Sequence, residues 1–215
     1  MAPVEASRAS RILSALDAAY PDPKCALNYR TPFELLVASI LSAQCTDERV
    51  NQVTPDLFRR YPDAHALAGA GQPEIEEAVR PTGFFRQKAR TLHACCREIV
   101  KQFAGEVPPT LEELITLPGV GRKTANLVLG EAFSVPGIVV DTHVRRVAAR
   151  IGFTNSKDPD RIEQDLMIII PKDRWTRFSH QLIRHGRTIC AARKPRCEMC
   201  LILPDCDYGR NAVKI

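Results

Sequence analysis

The sequence predicts an all-α fold. Three observations carry that prediction: apolar residues recur at helical spacing along most of the chain, capping boxes open two of these stretches, and no series of alternating strands is present to build a sheet. The 215 residues, 45% of them hydrophobic, suffice for one large domain or two small ones with buried cores.

The first helix is expected over about residues 7–20, where Ile12, Leu13, Leu16 and Ala19 share one side; Pro21 and Pro23 then break it. Thr31 as cap, Pro32 in the first turn and Glu34 three residues after the cap mark a second helix, running through LLVASIL to about Ala43. A third covers Asp47 to Arg60, ended by Pro62, and a short one covers Pro73 to Val79. From Gln87 to Phe103, the positions of Ala89, Leu92, Cys96, Ile99, Val100 and Phe103 predict a long amphipathic helix. Thr110 and Glu113 repeat the capping box and open a short helix that stops at Pro118 and Gly119. Ala125, Val128, Leu129, Ala132 and Phe133 give the next helix, Arg122 to Phe133, one apolar face. Ile138, Val139 and Val140 have extended character but too few strand neighbours for a sheet. Helices after Asp141, around Pro159 to Ile170 and from Trp175 to Cys190 complete the succession.

Thirty Lys and Arg against 25 Asp and Glu leave a formal charge of +5, which favours an anionic partner. Arg184, Arg187, Arg193, Lys194 and Arg196, with no acid among them, concentrate as much positive charge in one stretch as the whole chain carries net. The start, MAPVEASRAS, has no apolar run for a secretion signal, and stretches such as LMIII are too short to cross a bilayer. The expectation is a cytoplasmic protein. In such a reducing compartment, four cysteines crowded between Cys190 and Cys206 read as a metal site rather than a disulfide frame, while Cys25, Cys45, Cys95 and Cys96 lie scattered.

Leu117 to Ala125 reads LPGVGRKTA between two expected helices. Pro118 ends the first, and Gly119 and Gly121 are expected to permit a tight turn whose amides, with those opening the next helix, can grip a phosphate oxygen. The same glycines also suit a connector that binds nothing, and the GxxxxGK spacing of a nucleotide-binding loop is missing. Lys123 falls in the first turn of the second helix, where the positive helix end, and any partial burial, would favour a neutral and therefore nucleophilic amine. Such an amine can attack a sugar's anomeric carbon and form an imine. A solvated lysine that touches phosphate is the other reading.

Asp141 stands between an apolar triplet and a helix, which makes it an N-cap; facing a cleft, it can also stabilise developing positive charge or relay a proton. His143 can contact phosphate or bond locally, and of the adjacent Arg145 and Arg146 at most one can face DNA. Gln44, between two helices, can fill the space left by an extruded nucleotide or simply join the helices. Phe84 and Phe85 offer a stacking wedge or enter the core. Cys190, Cys197, Cys200 and Cys206 have gaps of six, two and five residues, compatible with a four-iron cubane or one zinc, with the six-residue gap wider than paired zinc knuckles use. Metal binding can supply the folding energy of so short a tail and present Arg193, Lys194 and Arg196 rigidly to phosphate.

In their order, LLVASILSAQCTD, LPGVGRKTAN, VVDTHVRRV and HGRTICAARKPRCEMCLILPDC resemble the endonuclease III family of base-excision glycosylases over nearly the whole chain. That resemblance implies a helix–hairpin–helix DNA glycosylase fold in two helical domains around a DNA-binding cleft, one a six-helix unit over 25–135 and the other joining 1–24 to 136–215. It implies Lys123 as nucleophile, Asp141 as acidic partner, Gln44 as a residue inserted into the duplex and the four tail cysteines as ligands of a [4Fe–4S] cluster. The partner it implies is double-stranded DNA with a damaged base or abasic site, handled by a monomer. Oxidised pyrimidines would be excised and the strand nicked by β-elimination. A monofunctional mismatch glycosylase and a non-catalytic DNA-binding module are the alternatives. Cys45 departs from an expected alanine and Phe84 from an expected leucine wedge, which bears on lesion preference and insertion.

Overall fold

Each helix begins where local chemistry can satisfy its first amides. In the computed structural model, which describes residues 5–213, the helices in chain order are α1 (Ala6–Ala19), α2 (Pro32–Leu41), α3 (Asp47–Arg60), α4 (Ala64–Ala68), α5 (Gln72–Val79) and α6 (Phe85–Phe103). They continue with α7 (Leu111–Leu114), α8 (Arg122–Ala132), α9 (Thr142–Ile151), α10 (Pro159–Ile169), α11 (Trp175–Thr188) and α12 (Asp207–Val213). No strand occurs among the described residues, so the all-α expectation holds. None of the described helices is long and apolar enough to cross a membrane.

The caps are those the residue types suggest. Thr31 Oγ1 accepts the Glu34 amide at 3.1 Å while Glu34 accepts the Arg30 amide at 2.6 Å; Thr110 accepts the Glu113 amide at 3.3 Å. Asp63 caps α4 through the Ala66 amide at 2.8 Å, a helix the sequence reading lacks because AHALA is too short to show a period.

The chain divides into two compact units, Cys25–Val135 and Met1–Lys24 with Pro136–Ile215. The first holds α2 to α8, one helix more than the six expected, the addition being α4. In it α2 is buried from Leu35 to Leu41 and packs on α3, α6 and α8, which is why six of those seven residues are apolar, Ser39 being the exception. Truncating Leu35, Leu36 or Leu41 there would cost about 2–5 kcal/mol. Cys95 and Cys96 belong to this core; burial pushes the Cys95 thiol up to about 12 and the Cys96 thiol up as well, which makes them inert filling.

In the second unit α9 packs on α11, and Val144, Val147, Ile151, Phe178 and Leu182 share one buried apolar cluster, with Phe153 stacked on Phe178 at 6.4 Å. Ile138, Val139 and Val140 are buried in extended backbone that is not part of a strand, and the Val139 amide donates to Ser179 Oγ at 2.9 Å. α1 is tied on by Asp17, which accepts from Gln181 at 2.9 Å, and by Arg8, which reaches Asp207 at 2.9 Å and the Ile151 carbonyl. The expected helix from Trp175 ends at Thr188, two residues before Cys190, and α12 is a further element the sequence reading lacks.

Candidate functional site

The turn between α7 and α8 closes on hydrogen bonds from Leu117 to the Leu114 carbonyl and from Val120 to the Leu117 carbonyl, each 3.1 Å. Gly119 has φ +79°, and a Cβ there would overlap the Thr91 side chain of α6. Gly121 differs from the expectation. It caps α8 at φ −96°, a region any residue adopts, and a Cβ would meet nothing within 4 Å, so only one of the two glycines is required by the backbone. Gly121 supplies no side-chain cap, and the amides opening α8 keep the character of an anion site. Lys123, the second residue of α8, is exposed, so the partial burial considered from sequence is not realised.

Two more candidates in this unit sit on strained backbone. Gln44 is exposed with φ +51°, in the turn after α2 that ends the helix at Leu41 rather than Ala43. Phe84 has φ +47°, caps α6 and is 66% exposed, while Phe85 packs against the core with Arg80 and Arg86 each 5.6 Å from its ring centre. Of the two aromatics, then, Phe84 projects. Left-handed geometry at non-glycine residues costs of order 1–3 kcal/mol and concentrates at functional positions.

In the other unit Asp141 Oδ1 accepts the Val144 amide at 2.7 Å, capping α9 and leaving Oδ2 available. The two arginines separate: Arg145 is exposed, whereas Arg146 bonds the Cys190 carbonyl at 3.2 Å, the Gly186 carbonyl at 2.9 Å and His143 Nδ1 at 3.1 Å. His143 is half-buried, and burial, with Arg146 and Arg187 adding to it, lowers its pKa against the opposing pull of Asp141 and Gly186. Gly186 allows this packing, since a Cβ would come within 2.9 Å of the His143 Cβ.

Cys190, Cys197, Cys200 and Cys206 all line one cavity, with about 320 Å³ of atom-free space that is partly open to solvent. Among the described residues no three His, Cys, Asp or Glu side chains converge closely enough to hold a single metal ion. Four thiols lining one cavity are a donor set that fits a metal centre. Burial pushes the Cys200 thiol up to about 11 and raises that of Cys206, a cost that metal-bound thiolate reverses. His185, buried in the cavity wall, lies 3.5 Å from Cys200 Sγ through Nε2 and 3.0 Å from the Tyr20 hydroxyl through Nδ1.

Arg193, Lys194 and Arg196 are all exposed, Lys194 with φ +52°. Sequence reasoning missed what holds their loop. Arg150 donates to the carbonyls of Ala191 at 2.7 Å and Ala192 at 3.0 Å and to Cys190 Sγ at 3.2 Å. The available signal was Arg146 and Arg150 one turn apart in HVRRVAAR, on one helix face.

The sequence matches the HhH-GPD superfamily of base excision DNA repair proteins over residues 37–172. It is 57% identical to an endonuclease III from Synechocystis sp. over 93% of this chain and 91% of that one, and 42% identical to an endonuclease III from Bacillus subtilis over 91% and 90%. The fold is similar, at TM-score 0.92 and 42% identity, to that of a trapped endonuclease III–DNA covalent intermediate with an estranged adenine, covering 98% of this chain and 100% of that one. An exposed amine at the start of a helix opened by a glycine turn, four cysteines around one cavity and similarity along nearly the full length together place the chain in the endonuclease III family of the HhH-GPD superfamily.

Proposed function

We infer that the protein is a bifunctional DNA glycosylase and abasic-site lyase that excises oxidised pyrimidines from double-stranded DNA. The observation that carries this reading is the exposed Lys123 amine, two residues beyond the uncapped helix start at Gly121. A phosphate held by the opening amides of α8 brings the adjoining sugar to the amine. Similarity to an endonuclease III trapped covalently on DNA supports the same chemistry.

On this reading, Lys123 Nζ attacks the anomeric carbon of the extruded nucleotide and the base leaves with the glycosidic electron pair and a proton. Ring opening gives an imine. Loss of a proton from the adjoining sugar carbon then expels the 3′ phosphate, which breaks the strand. Asp141 is assigned the charge that steadies the sugar and the proton transfers, through Oδ2 while Oδ1 caps α9. Gln44 and Phe84 are assigned to the vacated stack, and His143, Arg145, Arg193, Lys194 and Arg196 to the backbone.

Cys190, Cys197, Cys200 and Cys206 are assigned to a [4Fe–4S] cluster, which when bound would brace the tail. Arg150 then orients the ligand loop and its three basic side chains. The working form is assigned as a monomer acting on DNA in the cytoplasm.

Borohydride tests the reading. Wild-type protein should give a covalent band on duplex DNA bearing an oxidised pyrimidine or abasic site, and Lys123→Ala should give none. Base release without any trapped band would support a monofunctional glycosylase; binding without release would support a non-catalytic module.

A further inference from the structure

Lys88 is a lysine in the wrong place for a surface charge. It lies on the apolar side of α6 with Leu92, is only 5% exposed, and donates from Nζ to the Thr82 carbonyl at 2.7 Å. Burial lowers its pKa, with the nearby Cys45 acting in the opposite direction. A buried ammonium is costly and persists where its hydrogen bond does something that an apolar side chain cannot.

What it holds is the turn that presents Phe84. Three other carbonyls of this turn have their own donors. Val79 accepts from Thr82 Oγ1 at 2.8 Å, Arg80 from the Gly83 amide at 3.3 Å, and Phe84 from the Lys88 amide at 3.0 Å. The Thr82 carbonyl belongs to a residue that is itself buried, and its hydrogen bond comes from Lys88 Nζ. Lys88 therefore closes the loop twice, once through its backbone and once through its side chain. Between the two closures lie Gly83, at φ 71° and ψ 160°, and Phe84, at φ 47° and ψ 30°. Glycine adopts the first freely, whereas the left-handed Phe84 relaxes unless its surroundings hold it.

We propose that Lys88 is a positioning residue that holds the Phe84 ring in its projecting conformation, and so sets how readily the enzyme opens a duplex without itself touching DNA. This rests on the base-extruding reading given above. Loss of the Nζ bond leaves the Thr82 carbonyl buried without its donor and lets Phe84 rotate toward ordinary backbone.

The test compares borohydride trapping on two substrates, a duplex carrying an oxidised pyrimidine and a single strand carrying an abasic site, which needs no duplex opening. Lys88→Met should slow duplex trapping by about tenfold. Single-strand trapping should stay within about twofold of wild type, and Lys88→Arg should recover part of the duplex rate. Phe84→Ala is the reference for loss of the wedge and should slow duplex trapping at least as much. Equal loss on both substrates, or wild-type rates on both, overturns the role of Lys88 while leaving the glycosylase reading in place. Wild-type duplex trapping by Phe84→Ala removes the wedge and the Lys88 proposal with it, and absence of trapping by the wild-type protein removes the enzyme reading.

Discussion

Replacing Gly119 by alanine sets two separable costs against each other. The first is backbone: φ +79° is a left-handed conformation that costs an L-residue about 1–2 kcal/mol. The second is steric, because the new methyl would overlap Thr91 Cγ2, and forcing a methyl into a packed site costs about 1–3 kcal/mol. Gly119→Ala should therefore lower stability by about 2–5 kcal/mol. Gly121→Ala, at φ −96° with open space around its Cβ, should change stability by less than about 1 kcal/mol, since the unfolded-state gain is opposed by alanine's weaker N-capping. Thr91→Ser removes the overlapping methyl and keeps the hydroxyl, so in that background Gly119→Ala should cost only the backbone share, about 1–2 kcal/mol. Urea midpoints with slopes checked for constancy measure these variants, the Thr91→Ser background and the wild type. Equal losses for the two glycines, or no rescue by Thr91→Ser, would show that the turn is not held as described.

Asp141→Asn keeps an oxygen for the Val144 amide and should fold at near wild-type stability while losing lyase activity; Asp141→Ala should lose both, with about 1 kcal/mol lost from the cap in urea titration. Arg145→Ala should leave the unfolding midpoint unchanged and weaken binding to all duplexes alike, with the salt dependence of binding falling by about one ion in a titration. His143 has a folded pKa below its ordinary 6.5, so below that pH the unfolded chain takes up the proton first and stability falls as pH falls. His143→Gln should shrink the loss seen between about pH 7.5 and pH 5 in urea midpoints, and an unchanged loss would remove His143 as its source.

Much of this was legible because it is local chemistry. Thr31, Pro32 and Glu34 mark the start of α2, and Thr110 and Glu113 that of α7, because a cap needs only its own next turn. α3 was readable from Asp47 to Arg60, even with Pro55 inside it. Hidden features depend on partners distant in sequence. Gly119 and Gly121 look alike until Thr91 is seen beneath the first. Lys88 reads as one more charge on a long helix until its reach to Thr82 is known. The start of α6 at Phe85 rather than Gln87 follows from the left-handed backbone of Phe84, which the identity of a bulky aromatic does not announce. Nor does composition tell Arg146, spent on the Cys190 and Gly186 carbonyls, from its exposed neighbour Arg145. α12 was masked because its sequence reads as the end of a cysteine tail, while Gly209 is buried against Leu203 and Cys206.

The chemistry assigned to Lys123 can be read from where the sugar becomes attached. After reduction of the wild-type protein on lesion-bearing duplex, digestion and mass spectrometry should place the sugar remnant on Nζ of Lys123. A remnant on any other amine, or strand cleavage that leaves no amine modified, would contradict it.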